Sequence, residues 1–105
     1  MADLSQLFQL GQQMQGRLTQ IQTELAERSV TGSAGGGMVK VTADGRGQIR
    51  ALQIDPAAAA EGDVEMLEDL VLAAVSDAQR KAEELYRSEL SKLSGGMPLP
   101  FQFPL

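Results

Sequence analysis

The side chains that perform most enzymatic chemistry are missing from this chain. It contains no His and no Cys, which removes thiolate nucleophiles, disulfides, the commonest metal ligand and the usual neutral-pH proton shuttle. Carboxylates are plentiful, but Glu65, Glu68 and Asp69 lack a His or a spaced set of partners. Acids grouped in this way commonly sit in the first turns of a helix, where the macrodipole favours negative charge. The run Gly32-Ser33-Ala34-Gly35-Gly36-Gly37 has the glycine density of a phosphate loop. It lacks a Gly-Lys-Ser/Thr ending and leads into an alternating strand pattern, whereas a phosphate loop opens a helix. A flexible strand connection is the expected role. No residue set supplies a nucleophile and a base together. The expectation is a protein without catalysis, metal or cofactor.

What remains is the chemistry of fixed charge. The net charge is −5, yet one block, residues 55–77, carries seven acids and no base. The other 82 residues together are slightly basic. Two groups of cations are candidates for meeting a polyanion. Arg17, Arg80, Lys81, Arg87 and Lys92 fall in helical segments, and Arg80 and Arg87, seven apart, share a face. Lys81 and Lys92 share a second stripe. Lys40, Arg46 and Arg50 fall in a strand region. Ordinary ion pairs compete for the helical group, since Glu83 precedes Arg87 by four residues and Glu84 follows Arg80 by four. Aromatics are limited to Phe8, Tyr86, Phe101 and Phe103, too few for a base-stacking platform.

Three kinds of element must position these charges. Residues 4–28 read as a helix in which Leu4, Leu7, Met14, Leu18, Ile21 and Leu25 follow a heptad spacing, with Gly11 in one seam position. Gln fills the other faces, and Gly11 and Gly16 each cost about 1 kcal/mol relative to Ala. Such a seam needs a partner. Residues 29–54 switch to period two. A short strand around Val30 precedes the glycine run, and Val39 and Val41 alternate with Lys40 and Thr42. Asp44-Gly45-Arg46-Gly47 forms a hairpin turn. The returning strand places Leu52 and Ile54 on one face and Ile49 and Ala51 on the other. Residues 57–62 are a linker or one short turn. Asp63 caps a second helix over 63–93, whose stripe of Leu67, Leu70, Val71, Ala74, Ala78, Ala82 and Leu85 is apolar. Gly95-Gly96 ends it, and 95–105 is expected to be a mobile tail.

The fold class is therefore α+β, ordered α-β-β-β-α, with a three-stranded antiparallel sheet flanked by two long helices in a single domain over 1–94. A helix of about 30 residues is about 45 Å long, so one end projects beyond the sheet. The first helix is expected to run antiparallel beside it, with Ala78 and Ala82 permitting close approach. One sheet face and an edge strand stay open, and a homodimer is the economical cover. No apolar run reaches the ~18 residues of a membrane span, and Met1-Ala2-Asp3-Leu4 lacks a basic leader region. A cytoplasmic location without membrane contact is expected.

Several blocks in this order resemble the YbaB/EbfC family of nucleoid-associated proteins. They are Leu10-Gly11-Gln12-Gln13-Met14-Gln15, the segment from Val30-Thr31-Gly32 through Gly37-Met38-Val39-Lys40-Val41-Thr42, Ile54-Asp55-Pro56, Glu65 to Val71, and Gly95-Gly96-Met97-Pro98-Leu99-Pro100. The resemblance implies a homodimer with a sheet-built core and projecting helical arms, often likened to tweezers. It implies binding of double-stranded DNA with little sequence preference, alteration of its conformation, a nucleoid location, and roles in nucleoid organisation, gene regulation or DNA protection. It also implies a genomic neighbourhood of replication and recombination genes. The first helix departs from the pattern, with only Arg17 and Arg28 where many relatives place several cations, so weak and salt-sensitive binding is expected. The alternative is an adaptor that docks replication or recombination proteins through the acidic block and the Pro-rich tail, with little direct DNA contact.

Overall fold

In the computed structural model, which describes residues 3–93, helix α1 (Leu4–Glu27) leads into strands β1 (Ser29–Ala34), β2 (Val39–Asp44) and β3 (Ile49–Ile54). A short helix α2 (Pro56–Ala60) and a long helix α3 (Val64–Leu93) follow. The strands form one antiparallel sheet in the order β1-β2-β3. The fold class expected from the sequence is the one observed. The expected mobile tail at 95–105 lies outside the described residues.

Side-chain caps account for the helix starts. Asp63 Oδ1 accepts a 3.0 Å hydrogen bond from Met66 N–H and opens α3. Asp55 Oδ1 accepts from Ala57 N–H at 2.9 Å, and Pro56 occupies the first turn of α2, where its missing N–H is no loss. The 56–60 stretch is thus a helical turn with its own cap. The close of α1 is tertiary. Gly45 N–H donates to the carbonyls of Leu25 at 2.8 Å and Arg28 at 3.1 Å, tying the helix end to the β2–β3 hairpin. A Cβ at Gly45 would lie 2.7 Å from the Leu25 carbonyl oxygen, so only glycine lets the hairpin approach.

The core is thin. Val39, Val41 and Ala43 of β2 pack on Ala74 and Ala78 of α3, with Val30, Ala34, Leu67, Leu70, Val71 and Val75 around them. The stripe read from the sequence does face the sheet, but its alanines serve a different neighbour from the one expected. Gly32, midway along β1, sits so close to α3 that a Cβ there would overlap the Ala74 carbonyl oxygen and the Ala78 nitrogen. Ala78 thus brings α3 onto β1, and α1 does not run beside α3 as expected. Every residue of α1 from Leu4 to Gln20 is exposed, and Leu25 is the one buried residue of that helix. The long axis of the molecule, 71 Å, exceeds the ~45 Å of a 30-residue helix, and the radius of gyration of 19.4 Å exceeds the ~13 Å of a compact 100-residue domain. Helix α1 is an arm.

Two further expectations are corrected at the strands. β1 continues through Gly32 and Ser33 to Ala34, so the first part of the glycine run is packed strand. The reversal itself uses Gly35, Gly36 and Gly37, all at positive φ (63°, 68° and 97°), which suits glycine. In β3, alternation places Ile49 opposite Leu52. Instead the register pairs Thr42 with Ala51 and Ala43 with Ile49, so Arg50 is an inserted bulge residue. The bulge turns Ile49 onto the same face as Leu52 and Ile54, whose partners are the buried Val41 and Val39.

The sheet edges are unequal. On the outer edge of β1, Ser33 N–H donates to Asp77 Oδ2 at 3.1 Å and the Thr31 carbonyl accepts from Lys81 Nζ at 2.9 Å. Helix α3 thereby occupies that edge. Among the described residues β3 has no such cover: Ile49, Leu52 and Ile54 are 38%, 47% and 37% exposed on the α3 side of the sheet.

Candidate nucleic-acid interface

The eight candidate cations fall into engaged and open groups. Arg80 is held from both sides on α3, by Asp77 at 2.8 Å and Glu84 at 2.7 Å. These carboxylates, Asp77 first, raise the Arg80 pKa above its ordinary value. Lys81 pairs with Asp77 at 3.3 Å while reaching Thr31 of β1. Arg87 pairs with Glu83 at 3.8 Å and Lys92 with Glu89 at 3.3 Å. The i,i+4 pairs anticipated from spacing are therefore present. Arg50 binds the Asp44 carboxylate through Nε at 3.1 Å and Nη2 at 2.8 Å.

Arg17, Lys40 and Arg46 are different. Among the described residues no ion pair forms to any of the three. Arg17 lies on the exposed length of α1, and Lys40 is exposed on the face of β2 opposite Val39 and Val41. Arg46, at the hairpin tip, walls an open groove of about 580 Å³ whose other lining is Gln15, Leu18, Thr19, Gln22, Thr23, Ala26 and Glu27 of α1. The Arg46 guanidinium and four uncharged hydrogen-bonding side chains there suit phosphate and sugar oxygens, while the Glu27 carboxylate in the same lining offsets part of that positive charge.

The hairpin that presents Arg46 is organised by Asp44, which is 2% exposed. Its Oδ1 accepts from the backbone N–H groups of Arg46 at 2.9 Å and Gln48 at 3.0 Å, and its Oδ2 from Arg50. Burial pushes the carboxyl pKa up, but these donors outweigh it and hold Asp44 below the ordinary carboxylate value. Asp77 is likewise lowered, by Arg80 first and then by Ser33 N–H. In both cases the folded pKa lies below the unfolded one, so the unfolded chain binds more protons in that window. Stability is fully present above an unfolded value of about 3.9 and is lost as pH falls through the folded values. Thermal unfolding is thus expected to be flat from about pH 5 to 7 and to drop steeply below about pH 4. The Asp44→Asn variant is expected to melt several degrees lower at neutral pH with a shallower acid slope. An equal slope in both proteins would show that Asp44 carries none of the acid sensitivity.

Residues 1–97 match the profile of the YbaB/EbfC DNA-binding family. The chain belongs to that family. It is 47% identical over 98 residues to a nucleoid-associated protein of Desulfotalea psychrophila, covering 93% of this chain and 92% of that one. It is 44% identical over 101 residues to a nucleoid-associated protein of a Thermoanaerobacter species, covering 96% and 91%. Among solved structures, an uncharacterised protein of Helicobacter pylori shares the fold with a TM-score of 0.80 and 28% identity, over 90% of this chain and all of the other. No described helix of this YbaB/EbfC protein is long and apolar enough to cross a membrane.

Spacing along the chain does not disclose every residue that builds this surface. Arg28 reaches Glu89 on α3 at 3.3 Å, joining positions 61 residues apart. Asp77 anchors two of the candidate cations and a strand edge. The nearness of Asp77 to Arg80 and Lys81 is legible in the sequence; its bond to Ser33 is not.

Proposed function

We propose that this chain binds double-stranded DNA through its phosphate backbone as a homodimer, with little sequence preference, and alters the conformation of the bound DNA. It performs no catalysis, and it works in the nucleoid within the cytoplasm. Nucleoid organisation, gene regulation and DNA protection are the roles that fit. The observation that carries this reading is that three cations, Arg17, Lys40 and Arg46, form no ion pair among the described residues, in a member of a DNA-binding family with net charge −5. A cation already held by carboxylates exchanges one anionic partner for another when it meets phosphate, whereas an unpaired one gains its whole interaction. Arg17, Lys40 and Arg46 therefore lead, and Arg50, Arg80, Lys81, Arg87 and Lys92 contribute less.

The exposed β3 edge supports the homodimer part of this reading. The α3-covered β1 leaves β3 as the open edge, and antiparallel pairing of two β3 strands makes a continuous sheet that shields Ile49, Leu52 and Ile54. It also doubles the unpaired cations to six. Neutralising six phosphates lowers affinity about 10³-fold between ~50 and ~200 mM salt. Gel shifts on unrelated duplexes are expected to show micromolar binding at the lower salt and almost none at the higher. Arg17→Glu with Arg46→Glu is expected to reduce affinity at least about tenfold at ~50 mM salt. Absence of any shift at micromolar dimer would overturn direct DNA binding and favour an adaptor for replication or recombination proteins.

A further inference from the structure

Helix α1 presents Leu4, Leu7, Met14 and Leu18 to solvent, with exposures from 39% to 69%, and no other described residue of its chain covers them. We propose that α1 pairs antiparallel with α1 of a second copy, each Gly11 facing Met14 of the other, and that this contact joins dimers into larger assemblies. The arm pairing itself does not depend on the β3 contact; only the joining of dimers, rather than of single chains, rests on that reading.

The spacing asks for a helix as occupant. A seam of period 3.5 keeps facing its partner only when that partner is another helix wound around it. Size then sets the direction. In parallel pairing Gly11 meets Gly11 and Met14 meets Met14, a void beside a crowded layer. In antiparallel pairing with Leu7 opposite Leu18, each Gly11 receives a Met14, and small fits large on both sides of the two-fold axis. Nothing else in the fold requires a glycine at that position, because a Cβ on Gly11 would have no neighbour within 4 Å. The residue nevertheless costs the helix about 1 kcal/mol relative to Ala.

Charge agrees. Arg17 is the only charged residue between Leu4 and Ile21. Parallel pairing sets the two Arg17 side chains level. Antiparallel pairing sets each beside residue 8 of the other helix, nine positions and about 13 Å away from the other Arg17. An apolar, nearly neutral face that matches itself when reversed fits a second copy of this chain.

The two arms of one β3-paired dimer do not meet each other. Helix α1 enters the sheet at Ser29, opposite Asp44 at the hairpin end of β2. Antiparallel pairing of two β3 strands puts the two hairpin ends, and so the two arms, at opposite ends of the sheet. Each arm is left for a neighbouring dimer, and two different two-fold contacts per chain extend the assembly.

The chain has no cysteine, so engineered cross-links are clean. Leu7→Cys and Leu18→Cys variants of the full chain, mixed and oxidised, are expected to yield the mixed disulfide as the main product. Leu7→Cys alone is expected to yield little. A dominant Leu7→Cys homodisulfide would show parallel pairing and overturn the proposal, as would absence of any cross-link. In sedimentation, wild type is expected to exceed the dimer mass at tens of micromolar. Met14→Glu with Leu18→Glu, at sites exposed in the single chain and checked for folding by circular dichroism, is expected to stop at the dimer. Unchanged masses would likewise refute arm pairing. Failure of β3 dimerisation registers separately, as a Leu52→Asp variant that sediments like wild type.

Discussion

Replacing Gly32 by valine is expected to prevent this chain from folding at all. The first added carbon overlaps backbone atoms of Ala74 and Ala78, and backbone cannot swing aside as a flexible side chain does. Helix α3 would have to lift off the sheet and uncover Val39, Val41 and Ala43, which are the centre of the core. Overpacking alone typically costs about 1–3 kcal/mol, and detaching the helix adds the loss of core burial. A small protein has only about 0.05–0.15 kcal/mol of stability per residue, and one whose core contains so many alanines has little in reserve. Gly32→Ala is the graded version, expected to lose about 2–3 kcal/mol in urea unfolding. A Gly32→Val protein with wild-type circular dichroism and a wild-type urea midpoint would show that the helix lies further from β1 than described.

The second large effect concerns assembly. Leu52→Asp with Ile54→Asp places two carboxylates on the open strand. Both positions are partly exposed in the single chain, so the cost to its own folding is expected to be smaller than the cost to the contact. In the dimer they would be brought together across a closed edge, where unpaired buried charge costs several kcal/mol. The β3 contact is expected to be lost, leaving folded species whose DNA affinity at ~50 mM salt is weaker by at least about tenfold, since only half the phosphates are met at once. Sedimentation combined with gel shift reads both effects. Retention of full DNA affinity by a protein that has lost the β3 contact would detach binding from dimerisation.

Much of this architecture is legible in the sequence because its local signals agree with one another. Heptad spacing marks α1, two-residue alternation marks β2, the Asp44-Gly45-Arg46-Gly47 turn marks the hairpin, and Asp63 marks the start of α3. Non-local geometry is less legible. The bulge at Arg50 inserts one residue and moves Ile49 to the other face, a change that no alternation count detects. Gly32 lies in a run that reads as flexible, and its actual constraint comes from Ala74 and Ala78, more than forty residues away in sequence. The candidate interface divides in the same way. The pairing of Arg80 with Glu84 and of Arg87 with Glu83 follows from helical spacing, whereas the isolation of Arg17, Lys40 and Arg46 emerges only when the elements are placed in space.

The way α1 is fastened has a mechanical consequence. A rod of 24 residues, about 36 Å long, is held at one end by Leu25 and by the hydrogen bonds of Gly45. Such a rod is a lever whose fulcrum is its last turn, where Leu25 is buried and Arg28 just beyond it pairs with Glu89. Rotation of about 10° at that fulcrum carries the far tip through about 6 Å, roughly one helical turn, while the sheet stays still. Small adjustments at this joint therefore move the far end of α1 relative to the sheet, much as a calliper is set at its hinge. In the proposed DNA-bound dimer, such a joint would let the protein follow DNA of different curvature without refolding any part of it.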